Sequence, residues 1–153
     1  MDKNRITKTN VIAVSKTINA PIAFVYGWCT DYQADDTKLT RSKTQRIILQ
    51  KTPHQVIYLE TFRRNGRQMS AVNIVSLNRP IRWHLNYIGQ EAEEVGDYRL
   101  TRLGPAKTRL NMRFKIRYKI HGAPSKSEET KSTSAVWDKY VTALEKEFAH
   151  KKR

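Results

Sequence analysis

The 153-residue chain is poor in the groups that most metal and nucleophilic chemistry needs: one cysteine, Cys29, four histidines and 14 acidic residues. A single cysteine excludes an internal disulfide and any multi-cysteine metal site, and it fits a reducing compartment. No apolar run approaches the ~18 residues of a membrane span, and the opening MDKNRITKTN lacks the apolar centre of a secretory signal. A soluble, cytoplasmic protein is expected. His54, His84, His121 and His150 never fall at metal-ligand spacing, and neither a Ser-His-acid set nor a phosphate-cradling glycine loop is visible. No metal, no cofactor and no catalytic residue is therefore assigned.

What the chain has in excess is positive charge: 29 Lys and Arg give a net charge of +15 and a pI near 10.1. A balance so basic raises a polyanionic partner, a nucleic acid or an anionic lipid surface, and it equally serves solubility. The span from Lys38 to Arg82 is the most biased, with ten basic residues and Glu60 as its single acid. Few base-stacking aromatics interleave with these charges, which favours solvated strand faces over a single-strand binding groove. A chain of this length forms one domain, expected over 1–153, and buries roughly 70% of its unfolded surface.

The clearest pattern runs from Lys107 to Ile120. Thr108, Leu110, Met112, Phe114, Ile116, Tyr118 and Ile120 take the even positions, and Arg109, Asn111, Arg113, Lys115, Arg117 and Lys119 take the odd ones. Alternation with period two means a strand with one face in a core and one in water. At ~3.3 Å per residue this strand would extend on the order of 45 Å, a length typical of curved antiparallel sheets covered on one side.

Elsewhere the reading is of an α+β chain. A strand from Asn10 to Asn19 has Ile12, Val14 and Ile18 on its apolar face, interrupted by Lys16. Ala20-Pro21 then starts a short helix carrying Ile22, Val25, Tyr26 and Cys29, and Asp31 to Asp36 introduces a second. Strands follow over Lys43 to Lys51, His54 to Arg64, Gln68 to Leu77, Ile81 to Gly89 and Glu91 to Leu103, with an Asn65-Gly66 hairpin turn. If Tyr98 and Leu100 share the buried face with Leu110 and Met112, Asp97 and Glu93 lie on the outer face among the basic residues of the long strand. Ser125 and Glu128 form a capping box for a last helix reaching His150, whose apolar stripe is Trp137, Tyr140, Val141, Leu144 and Phe148. Glu128 and Glu129 at its start, and Lys151, Lys152 and Arg153 at its end, suit the helix dipole.

Ile18-Asn19-Ala20-Pro21, Val25-Tyr26, Trp28 and Thr30-Asp31 resemble the opening motif of the START and birch-pollen-allergen superfamily. Gly96-Asp97-Tyr98-Arg99-Leu100 and Thr108-Arg109-Leu110 are similar to two of its later strands, although Lys107 stands where many members have glycine. The resemblance implies a helix-grip fold, a curved sheet of about seven strands wrapped around the C-terminal helix, with an apolar cavity between them for lipids, polyketides or other small ligands. The implied lining is Tyr58, Glu60, Trp83, Tyr87, Tyr98, Met112, Phe114 and Tyr118 from the sheet, and Trp137, Tyr140, Val141 and Leu144 from the helix.

Glu60 lies between Tyr58 and Phe62, yet Ile57 and Leu59 make the other face of that strand apolar too, so its facing is open. His84 has the parity of an outward residue, and Cys29 reads as a small core residue rather than a nucleophile. Three functions remain: binding of an apolar or aromatic molecule, a polyketide cyclase or dehydrase using the same cavity, and a basic adaptor on RNA, a ribosome or an anionic membrane.

Overall fold

The computed structural model describes residues 7–40 and 43–151. The opening six residues, Arg41 of the basic span, and Lys152 and Arg153 after the last helix lie outside the described residues. In chain order the elements are β1 (Lys8–Ile18), α1 (Ile22–Thr30), a 3₁₀ turn (Asp36–Thr40), β2 (Gln45–Lys51), β3 (Gln55–Arg64), β4 (Arg67–Asn78), β5 (Arg82–Gly89), β6 (Ala92–Gly104), β7 (Lys107–Tyr118) and α2 (Lys126–Lys151). The seven strands form one antiparallel sheet in the order β1-β7-β6-β5-β4-β3-β2. The second short helical segment is a five-residue 3₁₀ helix that begins at Asp36, where the Asp31–Asp36 stretch ends.

The parity read from β7 governs the central strands. Thr108, Leu110, Met112, Phe114 and Ile116 are buried and their odd neighbours exposed, and Tyr98 and Leu100 stand opposite Met112 and Leu110 as expected. β7 stops two residues short of Ile120, because both neighbours end at Tyr118: Lys8 of β1 and Ala92 of β6 pair there. On the outer face Glu93 bonds Arg117 and Lys119, so part of the basic row is partnered, whereas Asp97 faces Arg113 but bonds His84 Nδ1 at 2.6 Å. The Asn65-Gly66 turn has φ of 51° and 75°, the left-handed pair that a two-residue hairpin needs.

Two segments distant in sequence are joined by one buried bond. Thr108 Oγ1 on β7 donates to the Ala20 carbonyl at 2.8 Å, fixing the β1–α1 corner against the sheet. Gly96 serves packing instead. A Cβ there would lie 3.1 Å from the Phe114 ring and 3.2 Å from the Tyr98 ring, so its missing side chain makes room for both.

Helix α2 begins with the Ser125–Glu128 cap, in which the Glu128 amide donates to Ser125 Oγ at 3.1 Å. It packs against β1, α1 and the 3₁₀ turn. Lys16, the break in the apolar face of β1, reaches up to it: its ammonium donates to Ser134 at 2.7 Å and pairs with Asp138 at 2.5 Å. Asn19 N–H donates to Glu145 and Trp28 Nε1 to Glu147 at 2.7 Å, tying the C-terminal half to the β1–α1 corner. Leu144, 1% exposed, is the helix residue driven deepest into the core.

Truncating that contact, Leu144→Ala, is expected to lower unfolding free energy by about 2–5 kcal/mol, the usual range for a buried leucine. Ile47→Thr on the outer face of β2, where Ile47 is 55% exposed, should stay within about 0.5 kcal/mol. Urea titration followed by circular dichroism checks both, and equal effects would contradict the core placement.

Candidate functional site

Between the sheet and α2 lies a cavity of about 650 Å³. That is within the ~300–1,000 Å³ typical of small-molecule pockets. Period-two alternation aims Tyr58 and Glu60 of β3, Tyr87 of β5, Tyr98 of β6 and Phe114 of β7 into it, and Trp137 and Tyr140 enter from α2. The rings form a connected wall: Tyr98 lies 5.6 Å from Phe114 and 5.9 Å from Trp137, which is 5.1 Å from Tyr140.

Five residues of the implied lining lie elsewhere. Trp83 is buried behind the wall, stacked on Tyr98 at 4.8 Å and 8°. Met112 and Leu144 belong to the packed core, and Val141 packs against it half-buried, so none of the three borders the cavity. Tyr118 borders a separate hollow of about 180 Å³ and donates its hydroxyl to Glu129 of α2. The facing of Glu60 is settled by its strand: Val56, Tyr58, Glu60 and Phe62 share the inner face, and Ile57 and Leu59 the outer.

The cavity is more polar than the resemblance implies. Its wall includes Arg46, Asn73 and Glu94, none of which stands out in the sequence. Arg46 lies opposite Glu60 in the β2–β3 ladder, its guanidinium 4.3 Å from the Tyr58 ring centroid and bonded through Nη1 to Asp36 at 3.0 Å and the Gln33 carbonyl at 3.3 Å. Arg46 Nε is buried without an acceptor. Asn73 donates to Glu60 Oε1 at 3.1 Å. Burial raises the Glu60 carboxyl above its ordinary range, against the opposing pull of Arg46 and Asn73.

Glu94 is the more isolated acid. Among the described residues no hydrogen bond or ion pair reaches its carboxyl, and burial, reinforced by the Glu129 charge on α2, pushes it up to about 7. Its inward facing follows from the parity of Tyr98 and Leu100. Burial likewise raises Tyr58, Tyr98 and Tyr140, so these phenols stay protonated at neutral pH. Cys29 borders the cavity, and burial holds its thiol up at about 12, which does not favour a nucleophilic thiolate. Among the described residues no group of His, Cys, Asp or Glu is placed to hold a metal ion, and no helix is long and apolar enough to cross a membrane.

No protein-family model matches the sequence, and no curated protein is similar to it. Solved structures are similar in fold. The Zhui aromatase/cyclase from Streptomyces sp. R1128 superposes with a TM-score of 0.66 at 15% identity, over 95% of this chain and 97% of that one. A START superfamily protein from Mycobacterium smegmatis does so with a TM-score of 0.64 at 17% identity, over 92% and 97%. The protein Ara h 8.0201 gives 0.64 at 8% identity, over 90% and 98%. The chain has the START and birch-pollen-allergen helix-grip fold. Within the helix-grip fold, Thr108 and Ala20, which carry part of the sequence resemblance, are the two partners of the buried bond at the β1–α1 corner.

The isolation of Glu94 has a stability consequence. Its folded pKa of about 7 lies above the ordinary 4.5, so the fold favours the neutral carboxyl; the contribution of Glu94 to stability is full below pH 4.5 and is lost as pH rises through 7. Glu94→Gln should therefore stabilise the protein at pH 8 by on the order of 2 kcal/mol and have little effect at pH 4, as read by thermal unfolding at the two pH values. Equal effects at both would contradict the half-buried, unpartnered placement.

Proposed function

We propose that this helix-grip domain, taken as residues 1–153, binds an apolar or aromatic small molecule in the cavity between its sheet and α2. The observation that carries the reading is the continuous aromatic wall of Tyr98, Phe114, Trp137 and Tyr140 around about 650 Å³. Rings contributed by both the sheet and the helix make a surface on which a flat apolar ligand buries much of its area, with Glu60, Asn73 and Arg46 as orienting polar groups. We read the basic outer face as a solvated surface, in part because Glu93 already engages Arg117 and Lys119.

A cyclase or dehydrase reading has one observation in its favour: Glu60 combines an inward position with a raised pKa, as a proton carrier would. In that case Glu60→Gln would abolish turnover of a polyketide-like substrate and leave its binding nearly intact. Parallel loss of both would favour simple recognition.

The binding reading is tested with Nile red, a neutral hydrophobic fluorophore. Saturable one-to-one binding is expected, with a change in tryptophan emission through Trp137. Ala143→Phe, which places a ring in the cavity from α2, should weaken the binding at least about tenfold without unfolding the protein. Affinity unchanged by Ala143→Phe would move the binding site elsewhere.

A further inference from the structure

The cavity runs against the charge of the rest of the molecule. Of 29 basic residues, Arg46 alone borders it among the described residues, together with six acids: Asp31, Asp35, Asp36, Glu60, Glu94 and Glu147. These charges are not equally available to a ligand. Asp31 is engaged by Lys51 at 2.7 Å, Glu147 by the Trp28 indole, and Asp36 by Arg46. Glu60 is bonded by Asn73 and lies across the ladder from Arg46. Glu94 stands at the other end, among rings, and among the described residues no cation or donor sits on its carboxyl.

We propose that the ligand is a ring-bearing organic cation, its ammonium on Glu94 and its rings against Tyr87, Tyr98, Phe114 and Trp137. The proposal rests on the cavity-binding reading and specifies the class of ligand it takes. A half-buried carboxylate set among rings without a partner is poorly stabilised, and a ligand ammonium supplies the missing partner in a setting less screened than open water. The surrounding rings add favourable contact with a cation. The cavity already contains one such pairing at its other end, where the Arg46 guanidinium lies over the Tyr58 ring.

An acidic ligand fits less well. It would have to share the Arg46 guanidinium with Asp36, which already pairs with Nη1, and would meet Glu60 across the ladder, and Arg46 Nε is buried out of solvent contact. The overall charge of +15 is no obstacle to a cation at short range, because exposed charges are screened beyond ~8–10 Å at ordinary salt.

Binding is coupled to pH through Glu94. The groups facing it are Glu129 on α2, Tyr118 on β7, Tyr87 on β5 and Tyr98 on its own strand, with Arg64 and Glu91 paired across the adjoining hollow. Glu129 raises its pKa, and the tyrosines stay neutral. Binding an ammonium favours the carboxylate, so protons are released on binding, and affinity rises with pH through about 7.

The test uses isothermal titration calorimetry of the full chain with tryptamine, the neutral isostere tryptophol, and indoleacetate, at pH 6 and pH 8. The expected order at pH 8 is tryptamine tightest by roughly tenfold and indoleacetate weakest. The amine's advantage should shrink at pH 6, and in Glu94→Gln the ratio of amine to alcohol should fall to about one at both pH values. Equal affinity for amine and alcohol in the wild-type protein, or preference for the acid, overturns the cation proposal and leaves the cavity reading standing. So does failure of all three indoles when Nile red binds. Failure of the indoles and Nile red together overturns both.

Discussion

A seven-stranded sheet is too wide for one helix to cover. Six interstrand gaps of ~4.8 Å span roughly 29 Å, whereas a helix with its side chains is ~10–12 Å across. The inner face must therefore be closed by something else or stay partly open. Here α2 lies toward β1, held by Lys16 to Ser134 and Asp138, and by Glu145 and Glu147 to the β1–α1 corner. The α1 helix and the 3₁₀ turn roof part of what remains, and the space between is the cavity. The Thr108–Ala20 bond matters for the same reason, since it sets where α1 begins and hence how far the roof reaches.

Charge is divided along the same boundary. Lysines and arginines crowd the outer face of the sheet, where water solvates them and Glu93 partners Arg117 and Lys119. The inner face admits Arg46 only with Asp36 and two tyrosine rings beside it. Glu60 and Glu94 are accommodated at raised pKa rather than by pairing with a base. Buried polar groups of this kind cost stability, and their concentration around a cavity instead of in the packed core is the pattern expected of a binding site.

Much of this is legible in the chain. Strict alternation marks β7, Asn-Gly marks the hairpin between β3 and β4, and the Trp137-to-Phe148 stripe marks the inner side of α2, because each depends on short-range periodicity or backbone preference. The site is legible only in part. Glu60 cannot be faced from sequence when both sides of its strand are apolar, and pairing with β2 and β4 decides that. Glu94 is readable by parity from Tyr98 but is easily lost among the outward acids of β6. Arg46 looks like one more charge in a basic run, because no local pattern marks the one guanidinium that turns inward over Tyr58. On α2 the periodicity yields a stripe but not its rotation about the axis, which sends Leu144 into the core and Tyr140 into the cavity.

Everything proposed for this domain requires that the ligand site lie inside, between the aromatic wall and α2. Intermolecular nuclear Overhauser contacts between bound Nile red and the protein test that placement most directly. Contacts from the dye to the Ala143 methyl and to the Tyr98 and Phe114 rings are expected. Contacts confined to outward residues such as Ile47, Leu49 and Ile88 would contradict it.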